Sequence, residues 1–107
     1  MARNAKAIIV ETLDYSTPGP AGAVQFTCGP SGKKSGWIHN CPCGCGILSF
    51  MGFDPEMNVP AATWQVTAGS LDDLDSLTLA PSIGIKGPEG QQYHWHGYLE
   101  RGVFVER

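Results

Sequence analysis

No run of lysine or arginine longer than Lys33-Lys34 occurs in this 107-residue chain, and charged residues make up only 16% of it. With a formal net charge of -3, the chain lacks the basic footprint of a nonspecific nucleic-acid binder, so nucleic acid is not an expected partner. No apolar stretch approaches the ~20 residues of a membrane-spanning helix. The short run Ala7 to Val10, after a polar N-terminus, is too brief for a signal-peptide core. An intracellular location follows as the expectation, and there four cysteines read as thiols and ligands rather than disulfides. Also missing are a His-Glu-x-x-His motif, a phosphate-cradling glycine loop opening a helix, and any recognisable Ser/His/Asp arrangement. Internal repeats, linkers and low-complexity tracts are absent too, which leaves a single domain over residues 1–107.

What is present is glycine, proline and hydrophobic residues: 14 Gly, 8 Pro and a 42% hydrophobic fraction. These favour short strands joined by turns over long helices, in a chain long enough for a modest core. Strands are expected over Ala7 to Leu13, Ala23 to Thr27, Trp37 to His39, Gly46 to Met51, Thr63 to Thr67 and Leu77 to Ile83. Pro81 should lie at a strand end. Asp54 to Ala61 and Gly29 to Gly32 read as loop and turn. Leu71 to Asp75 reads as an acidic connection with one helical turn, capped by Ser70. Gln92 to Leu99 followed by Glu100-Arg101-Gly102 and Val103 to Val105 predicts a C-terminal hairpin. The fold class is mostly β, a small sheet or sandwich with a zinc-ribbon-like metal site.

The chemistry concentrates in Cys41-Pro42-Cys43-Gly44-Cys45-Gly46 and His94-Trp95-His96. Thiolate sulfur and imidazole nitrogen are the ligands Zn²⁺ prefers, and a structural site needs four of them. Pro42 and the glycines let the backbone turn tightly between the sulfurs. On a strand, His94 and His96 project to one side and Tyr93 and Trp95 to the other. One zinc site is therefore expected among Cys41, Cys43, Cys45, His94 and His96, five candidates for four positions. Cys28 is expected to be a small buried hydrophobe, and His39 a surface group or a partner to the ligands. Asp72, Asp73 and Asp75 lack the glycine and distal glutamate of a Ca²⁺ loop and read as a solvated turn. Trp37, Trp64 and Trp95 are expected core anchors.

Three segments taken together, Trp37 to Gly46, Leu77 to Ile83 and His94 to Leu99, resemble a family of small phage and bacterial proteins of unknown function. That family shares a Cys-Pro-x-Gly-Cys-Gly turn, a Leu-x-Pro-Ser-Ile segment and a final aromatic Cys/His strand. The resemblance covers residues 37–105. It implies a zinc-binding β-rich domain and places the ligand role on Cys41, Cys45, His94 and His96, leaving Cys43 open. Some similar phage proteins carry the label ammonia monooxygenase, which nothing in this chain supports. The leading functional expectation is a non-enzymatic, zinc-stapled phage-type domain with a structural, assembly or host-interacting role. It would bind a protein partner in the bacterial cytoplasm or on a virion. Behind it stands a zinc-dependent hydrolase, with an open His/His/Cys site and Glu100 or Glu89 as base. An iron–sulfur or redox protein ranks third, because the cysteines and histidines are segregated.

Overall fold

The computed structural model describes residues 3–28, 32, 34–53, 64–85 and 94–107, and every regular element among them is a β-strand. Two four-stranded sheets share the core. The first runs in the order β1 (Ala5–Lys6), β10 (Val103–Glu106), β9 (Trp95–Glu100), β8 (Ile83–Ile85). The second runs β2 (Ile8–Ile9), β3 (Ala23–Cys28), β4 (Lys34–Asn40), β5 (Leu48–Gly52). A hairpin of β6 (Gln65–Ser70) and β7 (Asp73–Ala80) stands beside them. All pairings are antiparallel except β2 with β3.

The single strand expected over Ala7 to Leu13 is corrected to two short ones in different sheets. Lys6 pairs with Val103, and Ile8 pairs with Ala23. Between them Ala7 is buried, and its N–H donates to the Gly102 carbonyl at 2.8 Å as the chain crosses over. The helical turn expected at Leu71 to Asp75 is also absent. Leu71-Asp72 is the tight turn of the β6–β7 hairpin, and Ser70 Oγ accepts the Asp72 N–H without starting a helix. The acidic residues Asp73 and Asp75 are exposed on one side of β7, while Leu77 and Leu79 are buried further along it. These four positions share one face of the strand, which runs from the exposed tip of the hairpin into the core and is held there by pairing with β6. The extended segment breaks at Pro81, with a cis Ala80–Pro81 bond between β7 and β8. The expected turn at 29–31 and loop at 54–61 lie outside the described residues, as do Tyr93 and Glu89.

The core explains the register. On β9, Trp95, Gly97 and Leu99 are buried, while His96, Tyr98 and Glu100 face outward. Phe104 of β10 and Trp37 of β4 meet across the sheets with ring centroids 6.1 Å apart, and Trp95 meets Phe104 edge-on at 6.2 Å. Met51, Leu77, Leu79, Ile83 and Ile85 fill the space around them. Gly97 is required by this packing: a Cβ there would run into the Val105 carbonyl and the Trp95 ring. The C-terminal hairpin closes through Arg101 and Gly102, with φ of 49° and 76°, the two left-handed residues of a type I′ turn. Trp37 and Trp95 are core anchors, whereas Trp64 is half-buried at the margin, its indole N–H donating to the Ser82 carbonyl.

Candidate metal centre and serine–histidine face

The cysteine turn connects β4 to β5, and its shape is fixed by local hydrogen bonds. Cys41 N–H donates to Ile47 O at 2.9 Å, and Gly44 N–H to Cys41 O at 2.8 Å. The buried Asn40 accepts the Gly46 N–H and donates its amide to the Gly19 and Pro20 carbonyls. Gly44 and Gly46 have φ of 83° and 89°, a conformation that L side chains rarely adopt. The backbone therefore folds the three sulfurs inward, with Cys41 buried, Cys43 half-buried and Cys45 exposed.

His94 arrives from the other sheet. One donor atom each from Cys41, Cys43, Cys45 and His94 lie within 4.8 Å of one another. Cys43 Sγ is 3.3 Å from Cys41 Sγ and 2.9 Å from His94 Nε2. A tetrahedral zinc with Zn–S bonds of about 2.3 Å has ligand-to-ligand edges of about 3.8 Å, so these edges fit a small adjustment around one ion. The four residues can hold a metal ion. Burial pushes the Cys41 thiol up. Burial also works to raise Cys43, but hydrogen bonds from Cys41, His94 and Cys45 outweigh it and pull Cys43 down to about 7. Of Cys41 and Cys43, Cys43 is therefore the more readily ionised.

His96 stands elsewhere. The period-two alternation that would put it beside His94 applies only inside a strand, and His94 precedes β9 in a bend. His96 lies on the outward side of β9, its Nδ1 3.0 Å from the Arg107 carbonyl. A carbonyl can only accept, so Nδ1 carries the proton and Nε2 is the acceptor. Cys43, left open by the resemblance, is inside the cluster. Cys28 is corrected from buried to exposed: it ends β3 where a register shift lifts it away from the core. His39 is corrected from a surface position to full burial. It stacks on Phe104 with centroids 5.3 Å apart, and neither ring nitrogen has a hydrogen-bond partner among the described residues. Burial pushes its pKa down to about 4.

Residues 14–106 match the model of a family described as a bacterial ubiquitination-like system serine protease, BubE. The chain belongs to the BubE family. No curated protein and no solved structure matches it. The family is a bacterial one, and its match carries neither the expected phage ancestry nor the expected motif signature. The leading expectation, a non-enzymatic phage-type structural or interaction domain, is overturned by that description, as is the idea of a family without a function. A hydrolase is the reading that agrees better with a BubE chain.

A protease of the type in the BubE description needs a reactive serine. Ser35 is buried and donates to Thr27 O, and the hydroxyls of Ser16 and Ser76 bond Asp14 and the Asp73 carbonyl. Ser49 lies opposite His39 in the β4–β5 register, but that imidazole is sealed inside the core. Ser82 is different. In the β8–β9 register Gly84 faces His96 and Ile83 faces Gly97. Continuing that register by one residue places Ser82 opposite Tyr98 and diagonal to His96. Burial agrees: Ile83 and Ile85 point inward, while Gly84 is exposed and Ser82 half-buried. Diagonal positions lie about 7–8 Å apart at the backbone, within reach of an imidazole. An open depression of about 650 Å³, lined by Thr78, Glu100, Arg101, Val103 and Val105, lies at the other end of β9, with neither Ser82 nor His96 in its lining. Ser82 sits in the Pro-Ser-Ile segment of the sequence, but no spacing from a histidine marks it there; only strand pairing does.

Proposed function

We propose that this chain hydrolyses peptide or isopeptide bonds in a protein substrate, as a serine protease of a bacterial ubiquitination-like pathway. Ser82 is the nucleophile and His96 its base. The observation that carries the reading is the β8–β9 register, which, continued one residue before Ile83, sets Ser82 on the outward side of β9 that His96 occupies. It gains from the Arg107 main-chain oxygen on His96 Nδ1, which fixes the ring and keeps the neutral imidazole's proton on that nitrogen. Orienting the base through its other nitrogen is the job the carboxylate does in a serine triad.

The sequence of events follows from those positions. Ser82 Oγ attacks the substrate carbonyl carbon while its proton passes to His96 Nε2. The imidazolium returns that proton to the departing amine as the C–N bond breaks, leaving an ester on Ser82. Water, deprotonated by the same imidazole, then hydrolyses the ester and restores the hydroxyl. Val103 and Val105 give an apolar floor to the depression at the other end of β9, and Glu100 in its lining pairs with Arg107. Glu100 is held by Arg107, and this reading does not use it as a base.

Cys41, Cys43, Cys45 and His94 would hold zinc, the metal favoured by three thiolates and one imidazole. When bound, zinc supplies a cross-link between the two sheets. Four protein ligands leave no open position for an activated water, so the hydrolytic step rests on the serine. Reduced thiols suit the bacterial cytoplasm.

The test is labelling by a fluorophosphonate together with cleavage of a quenched peptide. Wild-type protein should take the label on Ser82, located by mass spectrometry. Ser82→Ala and His96→Gln should each lower kcat/KM by about 10³-fold or more while the melting temperature stays within a few degrees. Undiminished cleavage by Ser82→Ala would refute the assignment.

A further inference from the structure

Resting on the serine-hydrolase reading above, we infer that His94 is a positioning residue. Through it, the metal centre fixes His96 and the start of β8, which Ser82 immediately precedes, without touching substrate. His94 is a node. Its imidazole meets Cys43 of the β4–β5 turn at 2.9 Å. Its backbone N–H donates to Ile85 O, the last residue of β8, at 2.7 Å. Its carbonyl accepts from the Arg3 guanidinium at 2.8 Å, and Arg3 is paired with Glu106 of β10. The next residue, Trp95, is buried and donates its indole N–H to the Arg3 carbonyl. One residue therefore joins the second sheet to three strands of the first.

His96 follows two positions later, about 7 Å along the strand. Among the described residues β8 has three positions and lies at the end of its sheet, so few ladder bonds there hold its register on β9. The His94–Ile85 bond is one of them. With the imidazole tied into the metal cluster, the entry to β9 and the end of β8 share a fixed reference. With that tie cut, both can shift relative to each other. A displacement of about 1 Å between nucleophile and base costs on the order of 10²-fold in rate.

The experiment separates the tie from the metal. His94→Ala leaves three cysteines, which with a water still bind zinc. His94→Cys restores a fourth protein ligand. Zinc-loaded His94→Ala should lose 10- to 100-fold in kcat with KM changed less than threefold. His94→Cys should recover kcat to within about fivefold of wild type. Nitrogen NMR of the His96 ring gives a readout independent of turnover. The Nδ1–H tautomer signal of wild type should persist in His94→Cys and broaden or shift in His94→Ala. Should His94→Ala fail to fold, His94→Gln replaces it in the same comparison. An unchanged His96 signal and kcat in the Ala or Gln variant would overturn the inference, as would a Cys variant no better than Ala. If the Ser82 assignment itself fails, the ring signal still decides whether His94 positions His96.

Discussion

Replacing His39 with leucine should stabilise the protein. In wild type this imidazole is fully buried between Trp37 and Phe104, and neither nitrogen has a hydrogen-bond partner among the described residues. A neutral imidazole has one donor and one acceptor, and leaving each unmade costs about 1–3 kcal/mol. Against that stands the stacking on Phe104, at 5.3 Å and 19°, worth about 0.5–1.5 kcal/mol. Leucine is close to histidine in volume, so neither a large cavity nor severe overpacking is created. The balance is a net gain of about 0.5–5.5 kcal/mol. For a domain of this size each kcal/mol moves the melting temperature by about 4–8 °C. The assay is thermal unfolding of metal-loaded protein at pH 7.5, followed by circular dichroism, with metal content measured on the same samples. A rise of 5 °C or more is expected. A fall of the same size with metal retained would show that His39 is satisfied inside the core and would refute the reasoning.

Gly97→Ala should disrupt the first sheet, because the new methyl meets the Val105 carbonyl and the Trp95 ring; a loss of about 3 kcal/mol or more is expected in urea unfolding. Cys41→Ser, or chelation of the wild type, should remove the metal and lower the melting temperature together, as metal binding and folding are coupled. Elemental analysis beside calorimetry checks this, and an unchanged melting temperature in metal-free protein would count against a structural ion. Hydrogen bonds from Arg3 hold Glu106 below the usual carboxylate range. A lowered folded-state pKa adds stability above the unfolded pKa, and this is lost as pH falls through the folded value. Glu106→Gln should therefore flatten the acid limb of the stability profile. An identical limb in the two proteins would show that the pair contributes nothing.

Much of the β architecture is legible in local patterns. Alternation marked β3 and β6, Pro81 marked a strand end, and Glu100-Arg101-Gly102 marked the last hairpin. Ligand chemistry marked the cysteine turn and His94. What was not legible depends on long-range pairing. Nothing between Lys6 and Ile8 tells that the chain changes sheets at Ala7, because the cause is the Gly102 carbonyl far along the chain. The Asp-rich stretch after Ser70 looks like a helical start until the partner strand β6 is known. His94 and His96 look equivalent in sequence, yet the strand begins between them, at Trp95. Ser82 gains meaning only from its place opposite β9, and no spacing along the chain encodes that. Its meaning as a nucleophile also needed the family match, since the sequence carries no Ser/His/Asp pattern of its own.

The layout of the four ligands bears on the unfolded chain as much as on the folded one. Three sulfurs come from a single turn, whereas Cys43 and His94 are 51 positions apart. An ion bound to all four would close a loop of that length in any conformation it survives. By the chain-entropy model used for covalent cross-links, such a closure removes about 4 kcal/mol of disorder from the unfolded ensemble. The turn alone, by contrast, closes almost nothing. A metal held only by the cysteines would thus leave the unfolded chain nearly as free as before, and the fourth ligand converts a local clip into a tether. Through that tether, free metal concentration sets how much of the protein is folded at a given temperature.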